Sequence, residues 1–363
     1  MQQRDITRLF FELVCLGIGT GRNLSHSPTK EEWEILYEMA TKQAVTGIAF
    51  TGIERLPAEQ RPAKELLLKW YNVTLLIAKQ NTLLNKQAVA VARKFEEEGF
   101  ENVILKGQGI ATLYDEPARR TAGDIDIWLA GGRKKIMDYV RKFLPDALPN
   151  YHHVNFPLVK GVAIEVHFTP SWMYNYFTNK RLQDYFEREM ATQLANRVAL
   201  GNEGTVCIPD AAFNRVFILL HIYRHLFQEG IGLRQLLDYY YVLRQGFTPE
   251  ERDVTVARLK ELGMLRFAGA VMYVLKEVFL IDDAYLILPP LEKEGKELLD
   301  NVLIMGNFGK YSPSYAIQKG GNLWQRATSR TMQNVGMIKS YPSENLWAPL
   351  FRIWHFFWMR MNK

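Results

Sequence analysis

Between Val103 and Leu129 the sequence reads VILKGQGIATLYDEPARRTAGDIDIWL, and few local structures fit it. Val103-Ile104-Leu105 is a β-branched apolar run that stops at Lys106-Gly107, where glycines at 107 and 109 allow a sharp turn. Ile110 to Tyr114 spans one or two helical turns before Pro117 breaks it. From Asp124 to Leu129 the chain alternates with period two, which predicts a strand. Ile125, Ile127 and Leu129 fall on one face, and Asp124, Asp126 and Trp128 on the other. Adjacent carboxylates on one strand face repel unless a cation lies between them. Asp124 and Asp126 therefore predict a hard divalent ion, Mg²⁺ with Mn²⁺ as the alternative.

The next segment extends the same unit. After Gly131-Gly132 a basic helix is expected over Arg133 to Leu144, closed by Pro145 and Pro149. His152 to Val159 alternates again, Lys160-Gly161 reads as a two-residue turn, and Val162 to Phe168 as the returning strand of a hairpin. Ala163, Glu165 and His167 share one face of that strand, and Val162, Ile164, Val166 and Phe168 the other. A carboxylate in the middle of an apolar strand is costly to bury alone, so Glu165 is expected at the same metal site. His167 reads as a core or supporting histidine rather than a ligand.

Helical patterns flank this unit on both sides. Leu9, Phe10, Leu13 and Val14 recur at helical spacing, Thr29 with Glu32 forms a capping box, and Ala63 to about Gly99 runs without an internal glycine or proline. Downstream, Tyr174–Met190 reads as a packing or lid helix, Asp210 caps a helix, and Leu233 to Leu243 forms another. Thr248-Pro249-Glu250-Glu251 starts a further helix, expected to be followed by helical chain from Arg258 to Leu280. His221 and His225 have zinc-ligand spacing but lack an evident third ligand, and Arg234 with Asp238 reads as an i,i+4 pair on a helix surface.

A chain of 363 residues is long for one core. Three regions are expected: helical 1–100, a mixed core over 101–200, and helical 201–363 ending in a basic, aromatic helix. The fold class is α+β, a small mixed sheet embedded between helical regions. Two cysteines form no disulfide framework and fit a reducing cytoplasm. The Leu9–Gly19 run contains Glu12 and has no small-residue cleavage site, so no secretory leader is expected. No apolar run approaches the ~20 residues of a membrane helix. The net charge of +6 permits nucleotide or nucleic-acid partners without demanding them. From Lys310 onward Glu344 is the only acid among many bases, and Trp347, Leu350, Phe351, Trp354, Phe357, Trp358 and Met361 form a helical aromatic stripe. Docking of this helix on the core is expected ahead of a membrane-surface or partner role.

Lys106-Gly107, Leu113-Tyr114, Arg120, Gly123-Asp124-Ile125-Asp126 and the later Ile164-Glu165-Val166-His167 resemble the signature of uncharacterised bacterial nucleotidyltransferases of the polymerase-β-like superfamily. That resemblance implies transfer of a nucleoside monophosphate from a nucleoside triphosphate to an unidentified acceptor by two metal ions. It implies that Asp124 and Asp126 bridge both ions and that Glu165 holds the acceptor-side ion. Lys106, Gly107, Gln108 and Arg120 would bind the nucleotide. The superfamily's Gly-Ser or Gly-Gly pair is Gly107-Gln108 here, which leaves backbone N–H contacts and no hydroxyl.

Two other classes compete. One is a degenerate nucleotidyltransferase fold that binds nucleotide or a partner without transfer. The other is a glycosyltransferase with a metal-binding Asp-x-Asp, disfavoured because only one strand and one short helix precede the motif. For the transferase reading, replacing Asp126 by Asn is expected to remove charge without volume, leaving the fold intact and abolishing Mg²⁺-dependent triphosphate turnover.

Overall fold

The computed structural model describes residues 2–159, 161–311 and 340–361. Four helices come first: α1 (Gln2–Ile18), α2 (Lys30–Lys42), α3 (Thr46–Glu54) and the unbroken 34-residue α4 (Lys64–Glu97). The α2 start is the capping box expected of Thr29 and Glu32, with both reciprocal hydrogen bonds present. Then follow β1 (Asn102–Leu105), the single turn α5 (Gly107–Ala111), β2 (Ile125–Leu129), α6 (Gly132–Val140), β3 (His153–Val159) and β4 (Val162–His167). The chain continues with α7 (Tyr176–Ala195), a minor ladder of β5 (Arg197–Ala199) and β6 (Thr205–Cys207), α8 (Ala211–Gln228) and α9 (Leu233–Leu243). It ends with α10 (Pro249–Glu261), α11 (Leu265–Phe279), α12 (Glu292–Met305) and α13 (Pro342–Met361). The protein is a mixed α+β fold around a four-stranded sheet. No helix among the described residues is long and apolar enough to cross a membrane.

Sheet order is β1-β2-β4-β3, with β1–β2 and β3–β4 antiparallel and β2–β4 parallel. The hairpin returns the chain beside β2, so Asp126 stands opposite Glu165. Both sheet faces are covered, and the period-two alternation divides the strands between two cores. Ile125, Ile127 and Leu129 of β2 pack with Ile164 and Val166 of β4 against Phe95 of α4 and Ile136 of α6. Trp128 faces the other way, stacking on Phe213 of α8 at 6.1 Å. Asp126, Glu165 and His167 share that second side, where the sheet meets α8 and α9. Burying a β2-sized apolar face contributes about 25 cal/mol per Å², and this fixes the register: a slip of one residue would turn Asp126 into the apolar layer.

Three boundaries differ from the sequence expectation. β2 starts at Ile125, leaving Asp124 just before it. α6 ends at Val140 rather than Leu144. Helical chain does not run through 258–280: α10 stops and Gly263, at φ +68°, turns the chain into α11. A left-handed glycine just past a helix end closes it cheaply.

The loop that carries Arg120 is held by a close backbone approach. Gly47 in α3 faces the Arg119 carbonyl, and a Cβ there would sit 2.3 Å from that oxygen. Gly47→Ala would gain about 1 kcal/mol of helix propensity, but the backbone clash must move α3 or the loop. A net loss of about 1–3 kcal/mol is expected, read as a lower urea midpoint; an unchanged midpoint would show that the two segments do not depend on this approach.

Candidate functional site

The site grows from the end of β1. Lys106 sits at φ +40°, a left-handed conformation that costs a non-glycine residue of the order of 1 kcal/mol or more. The twist aims its ammonium at Asp126 Oδ1, 2.8 Å away. His167 Nε2 donates to the same oxygen at 2.9 Å. Asp126 is 1% exposed, so both partners act in a dry setting. Burial alone would raise its pKa, but Lys106 and His167 outweigh that and hold it below the usual carboxylate range. Burial would lower the Lys106 pKa, and Asp126, Asp124 and Glu165 together hold it above the ordinary lysine value.

Glu165 is 27% exposed and opens towards solvent. Its Oε2 lies 3.6 Å from His167 Nε2 and 3.7 Å from His153 Nδ1. Burial pushes Glu165 up, but His167 and His153 bring it down to about 2. Burial likewise opposes charge on His167, while Asp126 and Glu165 lift it to about 9. One oxygen from each of Asp124, Asp126 and Glu165 lies within 4.8 Å of the others. Such spacing suits carboxylates that share divalent ions after small adjustments.

Two connected recesses border the acids. A cavity of about 450 Å³ is lined by Lys106, Asp124, Glu165, His167, Trp172 and Arg224, among others. A smaller recess joins Gly107, Arg120, Asp124, Asp126, Arg234 and Asp238. Arg120 is buried and forked onto Asp238 at 2.7 and 2.8 Å, with Tyr114 donating to Asp238 at 2.7 Å. Its Nη1 is buried with no hydrogen-bond partner among the described residues, and the same holds for Nε of Arg234 and for Nε and Nη2 of Arg224. A buried guanidinium with spare donors favours an anion. Burial and the charge of Arg120 push the Arg234 guanidinium pKa down, as expected where cations crowd without enough counter-charge.

Residues 29–280, well over half of the chain, match the profile of a family described as uncharacterised nucleotidyltransferase. The chain belongs to this family. Among solved structures it is similar to an antigenic nucleotidyltransferase-like protein from Paracoccidioides brasiliensis, at 15% identity over 55% of this chain and 97% of that one, with a TM-score of 0.31. No curated protein matches the chain.

Within this nucleotidyltransferase chain, the structure brings Lys106, Gly107, Arg120, Asp124, Asp126 and Glu165 around the connected recesses. Gln108 departs from that set: its side chain is buried and spans to Asn81 and Asn85 of α4, bracing the turn rather than facing the cleft. Arg234 and Asp238 are not a surface pair on α9. Both are buried, and the partner of Asp238 is Arg120, 118 residues away in sequence. His221 and His225 meet edge to face at 4.3 Å without a third metal-binding group among the described residues.

Sequence reasoning missed His153, Trp172 and Arg224. The hairpin turn alone sets Val159 opposite Val162 and, by continuation, Val154 opposite His167; a bulge between Phe156 and Val159 shifts the ladder and sets His153 there. Pro157 lies inside the bulge, where a residue with no N–H to donate is tolerated. That proline was the available signal. Arg224 packs over Trp172 at 3.8 Å and Tyr174 at 4.1 Å and pairs with Glu344 of α13 at 3.2 Å. Glu344 is buried and accepts from the backbone N–H groups of Tyr174 and Asn175. The first turns of α13 are thus docked on the core, as expected, with Phe351 stacked on Trp172 at 4.3 Å. Leu350, Ile353 and Phe357 further along are exposed. Lys319, Arg326, Arg330, Lys339 and Lys363 of the basic tail lie outside the described residues.

Proposed function

We propose that this chain transfers a nucleoside monophosphate from a nucleoside triphosphate to an acceptor, in the manner of the polymerase-β-like superfamily. The observation that carries the reading is the convergence of three carboxylates, Asp126 and Glu165 from two parallel strands and Asp124 just before the first, beside recesses walled by buried, under-partnered guanidinium groups. In this reading residues 101–200 are the catalytic core, residues 1–100 a helical scaffold, and residues 201–363 supply the opposite wall.

The donor set fits Mg²⁺ or Mn²⁺: three carboxylates, one partly open to solvent, with oxygens already close together. When bound by Asp124, Asp126 and Glu165, such ions supply neutralisation of the triphosphate and a lowered pKa for the acceptor hydroxyl. The protein's own groups supply placement. Arg234, Arg224 and the free nitrogen of Arg120 neutralise phosphate oxygens directionally. Asp238 locks Arg120 so that little side-chain entropy is lost when the triphosphate arrives. Lys106 moves its charge from Asp126 to phosphate. Glu165, at the solvent edge, receives the acceptor proton. The Gly107 turn lets the backbone come near the triphosphate. The active compartment is the cytoplasm, where triphosphate is abundant; the acceptor is a small-molecule hydroxyl, a protein side chain or a nucleic-acid end.

One observation favours a second reading. Asp126 Oδ1 is already held by both Lys106 and His167, as it would be in a fold that binds nucleotide without transfer. A glycosyltransferase fits less well, because a single strand and one helical turn precede Asp124 in a small mixed sheet.

Calorimetric titration with a non-hydrolysable triphosphate, without and then with Mg²⁺, followed by a pyrophosphate-release assay over an acceptor panel, separates the readings. Transfer predicts binding strengthened by Mg²⁺ and release of pyrophosphate. Binding indifferent to Mg²⁺ with no pyrophosphate supports the scaffold, and no binding at all removes both.

A further inference from the structure

We propose that His153, Glu165 and His167 form a second site for a borderline first-row divalent cation, of which Zn²⁺ is the probe, beside the carboxylate site and sharing Glu165 with it. The proposal concerns metal binding alone and does not need nucleotidyl transfer.

The backbone builds the site. His153 of β3 is the direct cross-strand partner of His167 of β4, and Glu165 stands two residues before His167 on the same face. Directly opposed side chains in an antiparallel pair have Cβ atoms about 5 Å apart, which suits two imidazoles turned towards one point. The bulge at Pro157 makes this pair; with an unbroken ladder His167 would face a valine.

The ligand geometry is close to what an ion needs. One atom from each of His153, Glu165 and His167 lies within 4.8 Å of the other two. Glu165 Oε2 is 3.6 and 3.7 Å from the two imidazole nitrogens. Three ligands about 2.0–2.1 Å from a tetrahedral ion stand about 3.3–3.4 Å apart. Closing that gap takes a few tenths of an ångström at the Glu165 side, where the residue is partly open. Glu165 has no lysine or arginine at ion-pair distance among the described residues, so its carboxylate is left to the imidazoles.

The donor types select the ion. Two nitrogens and one oxygen suit Zn²⁺ and its neighbours better than Mg²⁺, which prefers an all-oxygen set. Asp124, Asp126 and Glu165 outnumber Lys106 and the protonated His167, and an added dication that displaces the His167 Nε2 proton to solvent raises the local positive charge by one or more. Asn150 Nδ2 donates to Nε2 of His153 at 2.9 Å, which places the ring proton on Nδ1. Metal binding at Nδ1 therefore requires that proton to leave and the Asn150 amide to turn over so that Oδ1 accepts from Nε2–H. Two contacts must yield. His153 Nδ1 now meets His152 Nε2 at 3.0 Å, and His167 Nε2 now serves Asp126. His167 Nε2 cannot hold both a metal and Asp126, so filling this site leaves Asp126 Oδ1 with Lys106 as its remaining partner. The two metal positions are coupled through the His167 imidazole and the shared Glu165 carboxylate.

The test uses the full chain stripped with a chelator. Calorimetry with Zn²⁺ is expected to show one saturable site, and protein loaded with one equivalent of Cu²⁺ is expected to show nitrogen modulation from imidazole in pulsed electron paramagnetic resonance. Loss of an outer-sphere partner costs about 10–100-fold in metal affinity, so His153→Gln should weaken Zn²⁺ by at least the upper part of that range. The His153 side chain keeps 12% exposure, and matching melting curves establish that the variant folds. Absence of saturable Zn²⁺ binding, or His153→Gln binding Zn²⁺ like the parent, overturns the proposal. So does weakening by Asp124→Asn without weakening by His153→Gln, which would place the ion on the carboxylates. Should His153→Gln fail to fold, absence of nitrogen modulation in the parent protein overturns it equally.

Discussion

Asp126→Asn is expected to lose about 10³-fold or more in pyrophosphate release, because a metal-holding carboxylate contributes several kcal/mol of charge stabilisation in the transition state. The expectation that this change leaves the fold untouched needs revision. Asp126 is the shared acceptor of Lys106 and His167 in a dry pocket. Breaking a buried pair by removing one partner costs about 3–5 kcal/mol. The low end applies here, because the charges of Asp124 and Glu165 remain within influence of Lys106. A stability loss of about 3 kcal/mol should therefore accompany the loss of turnover, and activity must be compared well below the melting transition. Turnover at parental levels would remove Asp126 from the reaction. Full retention of stability would mean that Lys106 finds a new carboxylate without cost.

Asp238→Asn should cause the largest loss of stability. Its carboxylate holds the Arg120 fork and the Tyr114 hydroxyl, and neither Arg120 nor Asp238 has much access to water. Leaving the guanidinium buried and unpaired costs about 3–5 kcal/mol, whereas replacing both charges by apolar groups of similar volume is often neutral. Urea unfolding should therefore show a large drop for Asp238→Asn and a much smaller one for the double variant Arg120→Met/Asp238→Leu. The double variant should still lose triphosphate affinity, since the free nitrogen of Arg120 goes with it. Equal destabilisation of both variants would show that the pair matters for shape rather than charge.

What the sequence revealed and what it hid follow from the range of the interactions. Strands β1, β2 and β4, the split of β2 into an acidic and an apolar face, and the caps at Thr29, Asp210 and Thr248 are local, and each is legible from neighbours within a few residues. The placement of β4 beside β2 was legible because only a returning hairpin could bring Glu165 to Asp126, whereas the parallel direction of that pairing comes from the structure. The hidden parts depend on distant partners. Asp238 looked like a surface residue until Arg120 arrived from another region to claim it. Gln108 could not be told from a phosphate ligand until α4 lay behind it. His153 needed a bulge, a displacement of one residue that no hydrophobic pattern records, since the buried positions on the β4 side stay the same.

The Arg224–Glu344 pair has a practical bearing on how the protein is trimmed for study. The family match ends at residue 280, which makes that position a natural place to cut. Arg224 lies inside the matched span and walls the cavity, but its counter-ion comes from α13, far beyond the cut. A shortened version would keep every carboxylate of the site and yet strand a guanidinium among aromatic rings, with Tyr174 and Asn175 deprived of their acceptor. The minimal unit that preserves the site therefore reaches at least to Phe351, and an inactive fragment ending at residue 280 would report on its missing last helix rather than on the chemistry of the family.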